Sequence, residues 1–148
     1  MVTWLPILIS AGALIVSIVV AIMTAKRETK FKKRELNDKI FLEIYLKYMT
    51  KDIPESVAKM KMIGDGELSG AKECTEVLRK MRIESIYYRY LDKGFYERIT
   101  KELTNFEDYL VNNINHKCTG EEQQKMLNEI EKKTKAVYEI LMEKRMKL

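Results

Sequence analysis

The chain has 148 residues, 33% of them charged, with 27 basic against 22 acidic side chains and a net charge of +5; it holds one histidine and two cysteines. A single histidine excludes His-based metal triads, HExxH and the paired Glu-x-x-His ligands of di-iron bundles. The excess charge is local, because six basic residues and one Glu between positions 26 and 34 supply all of the +5 and leave 21 basic against 21 acidic residues elsewhere. Nucleic acid is therefore not an expected partner.

Leu5 to Ala25 reads LPILISAGALIVSIVVAIMTA, 21 positions without a charged side chain. As a helix rising about 1.5 Å per residue it measures roughly 31 Å, against about 30 Å of bilayer hydrocarbon. Eleven of its residues are Leu, Ile or Val, each worth roughly 0.3–0.6 kcal/mol on insertion scales, which outweighs its few hydroxyls. Residues 1–25 are thus expected to form a single transmembrane anchor. A cleaved signal peptide fits less well, because the apolar run exceeds the usual 7–15 residues and no basic side chain precedes it.

Lys26, Arg27, Lys30, Lys32, Lys33 and Arg34 all follow this run. The positive-inside rule then sets the N-terminus outside and the C-terminal portion in the cytoplasm of a cell (inner or plasma) membrane. The same collar, residues 26–34, is a candidate binding stripe for anionic lipid headgroups. Within the apolar run, Ser10, Ser17 and Thr24 recur every seven residues, and Ala13, Ser17, Ala21 and Ala25 every four. Small residues let helix backbones approach closely in lipid, so this set is the candidate homo-oligomer interface or pore lining.

Residues 35–148 read as an all-α, antiparallel cytosolic bundle. No Gly or Pro lies between Gly12 and Pro54, so the first helix can continue through the collar to about Thr50, with Leu36, Ile40, Phe41, Ile44, Tyr45 and Tyr48 at helical spacing. Asp52 and Pro54 open a short helix to Ile63, and residues 64–70 form a loop. The next helix is expected over Ser69–Leu91, with Cys74, Val77, Leu78, Met81, Ser85 and Tyr88 on one face and Gly94 as its stop. Ile83, Ile86, Tyr87 and Tyr90 widen that stripe; a central helix touched on several sides is the favoured explanation, a partner surface the other.

Phe95, Ile99, Leu103, Phe106, Leu110 and Ile114 mark a fourth helix closing near His116. Thr119 to Glu122 forms a T-x-x-E capping box that starts the last one, whose seam is Leu127, Ile130, Thr134, Val137 and Leu141.

Cys74 sits on an apolar stripe and reads as a core thiol, while Cys118 with His116 supplies at most two metal ligands. There is no phosphate-binding or nucleophile-elbow signature, and no Arg precedes His116 at the spacing of helical HEPN ribonucleases. No cofactor, metal or catalytic residue is expected. The aromatics and arginines around Tyr87, Tyr88, Arg89 and Tyr90 could stack on bases, but the neutral charge of the region favours packed tyrosines.

One apolar span, a basic collar and a helical domain resemble the uncharacterised single-span proteins of bacteria, archaea and prophages. RIESIYYRYLDKGFYERIT, residues 82–100, is similar to the N-x-x-E-x-I…G-x-x-D helix-turn-helix of one such group: Glu84, Ile86 and Gly94 fit, whereas Ile83 and Glu97 are approximate. The resemblance implies no active site. The layout is also similar to the membrane-pore accessory of some CRISPR systems, whose Arg-to-His motif is missing here. The expected role is that of a non-enzymatic, membrane-anchored scaffold or interaction protein that recruits a cytosolic protein; the alternative is an oligomeric membrane effector of the pore-forming or membrane-perturbing, anti-phage type.

Overall fold

The computed structural model describes residues 4–64, 66–114 and 116–148, with the side chains of α1 described from Gly12 onward. The fold is mostly helical, and two compact units divide it, residues up to Lys39 and Ile40–Leu148.

The first element, α1 (Trp4–Lys47), is a continuous helix of 44 residues. Among the described residues no helix is long and apolar enough to cross a membrane. The expected span begins at Leu5, and its side chains before Gly12, Ser10 among them, lie outside the described residues. Gly12–Ala25 alone would measure about 21 Å, short of the roughly 30 Å required.

In the second unit α1 ends in a π-turn, Tyr48–Asp52, followed by α2 (Ile53–Lys59) with Pro54 in its first turn. The widening has a local cause. Ile53 N–H bonds to Tyr48 O, five residues back. The corresponding donor for Met49 O would be residue 54, a proline without an N–H. Tyr138 fills that gap, its hydroxyl donating to Met49 O at 2.5 Å.

The short helix expected to reach Ile63 stops four residues earlier, because Met60 turns extended and β1 (Lys61–Ile63) pairs antiparallel with β2 (Glu67–Ser69) in the register Lys61↔Ser69, Met62↔Leu68, Ile63↔Glu67. The expected loop is thus mostly a hairpin. Its strands are too short for an alternation to stand out in the sequence. Gly66, at φ +91°, cannot be replaced freely: a Cβ there would lie 2.1 Å from Cys118 O. That closeness lets Cys118 N–H bond Gly66 O at 3.1 Å and fastens the 116–119 connection onto the hairpin.

The helix expected over Ser69–Leu91 is divided into α3 (Ala71–Glu84), a 3₁₀ turn at Ser85–Tyr87, and α4 (Tyr88–Leu91). Gly94 is not its stop. Asp92, at φ −149°, makes the break and caps α5 (Lys93–Asn113) by accepting from Phe95 N–H, which leaves Gly94 inside the new helix. The capping box appears as expected at Thr119–Glu122 and starts α6 (Gly120–Met146).

One core joins these elements. Phe41, Tyr45, Leu78, Met81, Tyr88, Ile99, Leu103, Phe106, Leu110, Val137 and Leu141 are fully buried. Its centre is aromatic: Tyr45 stacks on Tyr88 at 5.8 Å, and Phe95 meets Tyr88 edge-on at 4.9 Å. Leu36 and Leu127, expected inside, are exposed, and Met126 takes the buried place beside Leu127.

Candidate functional site

On α1, Ala13, Ser17, Ala21, Thr24 and Ala25 are exposed and, at about 100° per residue, fall within an arc of about 120°. Leu14 also falls inside that arc, and Ile15, Val16, Ile18, Val19, Val20, Ile22 and Met23 cover the remaining circumference, all of them exposed. Ser17 Oγ donates to Ala13 O at 2.8 Å. Its one hydroxyl hydrogen therefore stays within the helix, and only its lone pairs face outward.

All six basic residues of the collar are exposed. Lys26, Lys30 and Lys33 line a shallow depression with Ala25 and Thr29. Arg27 and Arg34 continue that side, and Lys32 points elsewhere around the helix. The stripe is centred almost opposite the small residues.

Within Ile40–Leu148 several buried polar side chains link one element to another. Glu107, 7% exposed, receives Arg79 Nε at 3.0 Å and Arg79 Nη2 at 2.8 Å on one oxygen, and faces Arg82 Nη2 at 3.1 Å with the other. These three residues clamp α3 to α5. Glu107 escaped the sequence reading, although its signal was present: it lies between Leu103 and Leu110 on the stripe that α5 buries.

Tyr45 Oη donates to Ser85 Oγ at 2.9 Å, and Ser85 donates onward to Met81 O at 2.8 Å. Burial pushes the Tyr45 phenol well above its ordinary range, so it remains a neutral donor. Lys144 reaches Asp92 Oδ2 at 2.8 Å while lying over the rings of Tyr88 and Phe95 at 5.5 and 5.6 Å. That lysine, with the Phe95 N–H, holds the Asp92 carboxyl below its usual range. Cys74 is buried, and burial raises its thiol. His116 and Cys118 share a wall of one open depression with Glu122 and Glu129. Among the described residues no group of three His, Cys, Asp or Glu side chains is arranged to hold a metal ion.

Two apolar surface features among the described residues could receive a partner. The first overturns the expected central helix: Ile83 (63% exposed), Ile86 (51%), Tyr87 (42%) and Tyr90 (85%) face outward. Ser85 and Tyr88, on the opposite side of the same segment, are the residues that pack inward. The second is a groove of about 500 Å³ lined by Val57 and Met60 beside α2 and by Leu127, Ile130, Thr134 and Tyr138 of α6, with Glu131 and Lys135 also on its wall. No motif announced the groove, because it forms between segments about 70 residues apart in the chain. No family model, curated protein or solved structure matches the chain.

Proposed function

We propose that the chain is a non-enzymatic scaffold, anchored by one membrane span with its N-terminus outside and its helical unit in the cytoplasm, where that unit recruits a protein partner. The observation that supports the anchor is α1 itself. From Leu14 to Met23 large apolar side chains are exposed around most of the helix, and small residues fill the rest. A helix without a polar face has no favourable boundary with water. With Leu5–Ala11 added, the uncharged run reaches the length a bilayer needs. The collar follows on one side only, which is the basis of the orientation and of the proposed contact with anionic headgroups. The outward stripe at Ile83–Tyr90 supports the recruiting role.

The test is alkylation of Cys74 and Cys118 by a membrane-impermeant maleimide. Both should stay unlabelled in intact cells and react after lysis and unfolding. Labelling in intact cells would reverse the orientation, and recovery of the chain in the soluble fraction would remove the anchor.

The second reading, an oligomeric membrane effector, is favoured by the small-residue arc of Ala13, Ser17, Ala21, Thr24 and Ala25 lying opposite most of the collar. Spans could pair through that arc while the cations face lipid. Replacing Ser17 and Ala21 with Leu should then weaken oligomers in a membrane reporter assay without affecting insertion. Dye leakage from liposomes separates a pore from a closed seam.

A further inference from the structure

We infer that Lys26, Lys30 and Lys33 form a seat for a single lipid whose headgroup is a bare phosphate monoester, as in phosphatidic acid. The inference rests on the proposed anchor and narrows its contact with anionic headgroups to one phosphate chemistry. The three lysines stand at i, i+4 and i+7, within about 60° of arc, around a depression of about 420 Å³ that Ala25 and Thr29 also line. All three are exposed. Glu28 and Glu35, the acidic residues of this stretch, lie about 140° or more around the helix, too far round to neutralise the seat.

The donors of the depression select its ligand. Thr29 Oγ1 donates to Ala25 O at 2.9 Å, which engages its one hydrogen within the helix, so the side-chain donors offered to a ligand are all ammonium groups. A phosphate monoester answers them with three terminal oxygens and a charge of about −1.5 to −2 at pH 7. A phosphodiester offers two such oxygens and a single charge. A serine headgroup adds an ammonium of its own, which the three lysines repel.

The position of the seat along α1 fits the same ligand. The uncharged run ends at Ala25, and Lys26 and Lys30 follow within about 7.5 Å of axial rise, comparable with a headgroup layer of roughly 5–7.5 Å. Helical side chains tilt toward the N-terminus, which here is toward the bilayer, so Lys33 leans back over that layer. A phosphate carried directly on glycerol lies within this reach.

Native mass spectrometry of the full-length chain in detergent tests this, with dioleoyl phosphatidic acid and dioleoyl phosphatidylglycerol supplied in equal amounts. At pH 7.5 the monoester should give about five times as many single-lipid adducts. The two lipids should approach parity at pH 5, below the second phosphate ionisation at about pH 6. Lys26→Gln with Lys33→Gln should remove the preference. Arg27→Gln with Arg34→Gln, an equal loss of charge on the flank outside the depression, should keep it. Glycerol 3-phosphate, the soluble source of the same group, should give few adducts. Equal adducts of the two lipids at pH 7.5, a preference that survives at pH 5, the same loss from either pair of substitutions, or glycerol 3-phosphate binding as well as the lipid would each overturn the inference and leave the anchor standing. The anchor fails on a different result, recovery of the chain in the soluble fraction.

Discussion

Replacing Tyr138 with Phe isolates the device that closes the π-turn. The substitution removes one oxygen and leaves the ring in place, so the effect is that of a single donor. Met49 O then has no protein partner, because the residue five positions on is Pro54. An intramolecular hydrogen bond is worth roughly 0.5–1.5 kcal/mol net, and a carbonyl left dry costs about 1–3 kcal/mol. Tyr138 is only partly buried, so water can reach the site and the lower figure governs. The expected loss is about 1 kcal/mol, or about 4 °C in Tm for a domain of this size.

Pro54→Ala supplies the missing N–H and should make the Tyr138 hydroxyl redundant. In that background Tyr138→Phe should cost almost nothing, which gives a coupling of about 1 kcal/mol in a double-mutant cycle. Near-UV circular dichroism in urea is a suitable probe, since all eight tyrosines lie beyond residue 40 and the one tryptophan is Trp4. Equal costs in the two backgrounds would refute the idea that Pro54 creates the vacancy that Tyr138 fills.

Glu107→Gln should destabilise the unit by about 3 kcal/mol, because two guanidinium groups then face a neutral amide, while replacing Arg79, Arg82 and Glu107 together with Leu should recover most of that loss in urea titrations. Gly66→Ala forces a Cβ to 2.1 Å from Cys118 O at φ +91° and should cost at least about 2 kcal/mol, measured as a fall in the urea midpoint. Asp92 is held below the ordinary carboxylate range chiefly by Lys144. Its contribution is therefore complete above the unfolded value and is lost as pH falls through the folded one, so Asp92→Asn should narrow the difference in urea midpoint between pH 7 and pH 3. A peptide of residues 26–48 should bind anionic vesicles in preference to neutral ones at low salt; equal binding in a sedimentation assay would leave the collar as a topology signal alone.

The parts of the fold legible in sequence are those encoded by long-range helical spacing. Cys74, Leu78, Met81, Ser85 and Tyr88 are buried on one face, and Phe95, Ile99, Leu103, Phe106 and Leu110 on another, as their periods require. The capping box at Thr119 is local chemistry and is equally legible. What the spacing concealed depends on tertiary contact. Ile83, Ile86, Tyr87 and Tyr90 are as apolar as their buried neighbours, and nothing in the order of residues says whether a further element covers them. The hairpin rests on two glycines with positive φ, which as letters read only as a turn. The groove exists only because α6 returns to α2, and the collar's one-sidedness appears only once α1 is wound into a helix.

The polar and apolar groups of Ile40–Leu148 are distributed in a way that bears on the choice between chemistry and recognition. A catalytic site exposes polar groups whose proton affinity is tuned, inside a cleft that excludes water. Here several inward-facing polar groups are engaged with one another: Glu107 with two arginines, Ser85 with Tyr45 and Met81, Asp92 with Lys144 and the end of α5. Among the described residues, the apolar groups that face water include Ile83, Ile86, Tyr87, Tyr90 and the walls of the α2–α6 groove. Each apolar side chain would gain roughly 25 cal/mol per Å² of surface removed from water. Covering Ile83, Ile86, Tyr87 and Tyr90 with another polypeptide would take that area out of water, which is what the proposed recruiting role requires of them.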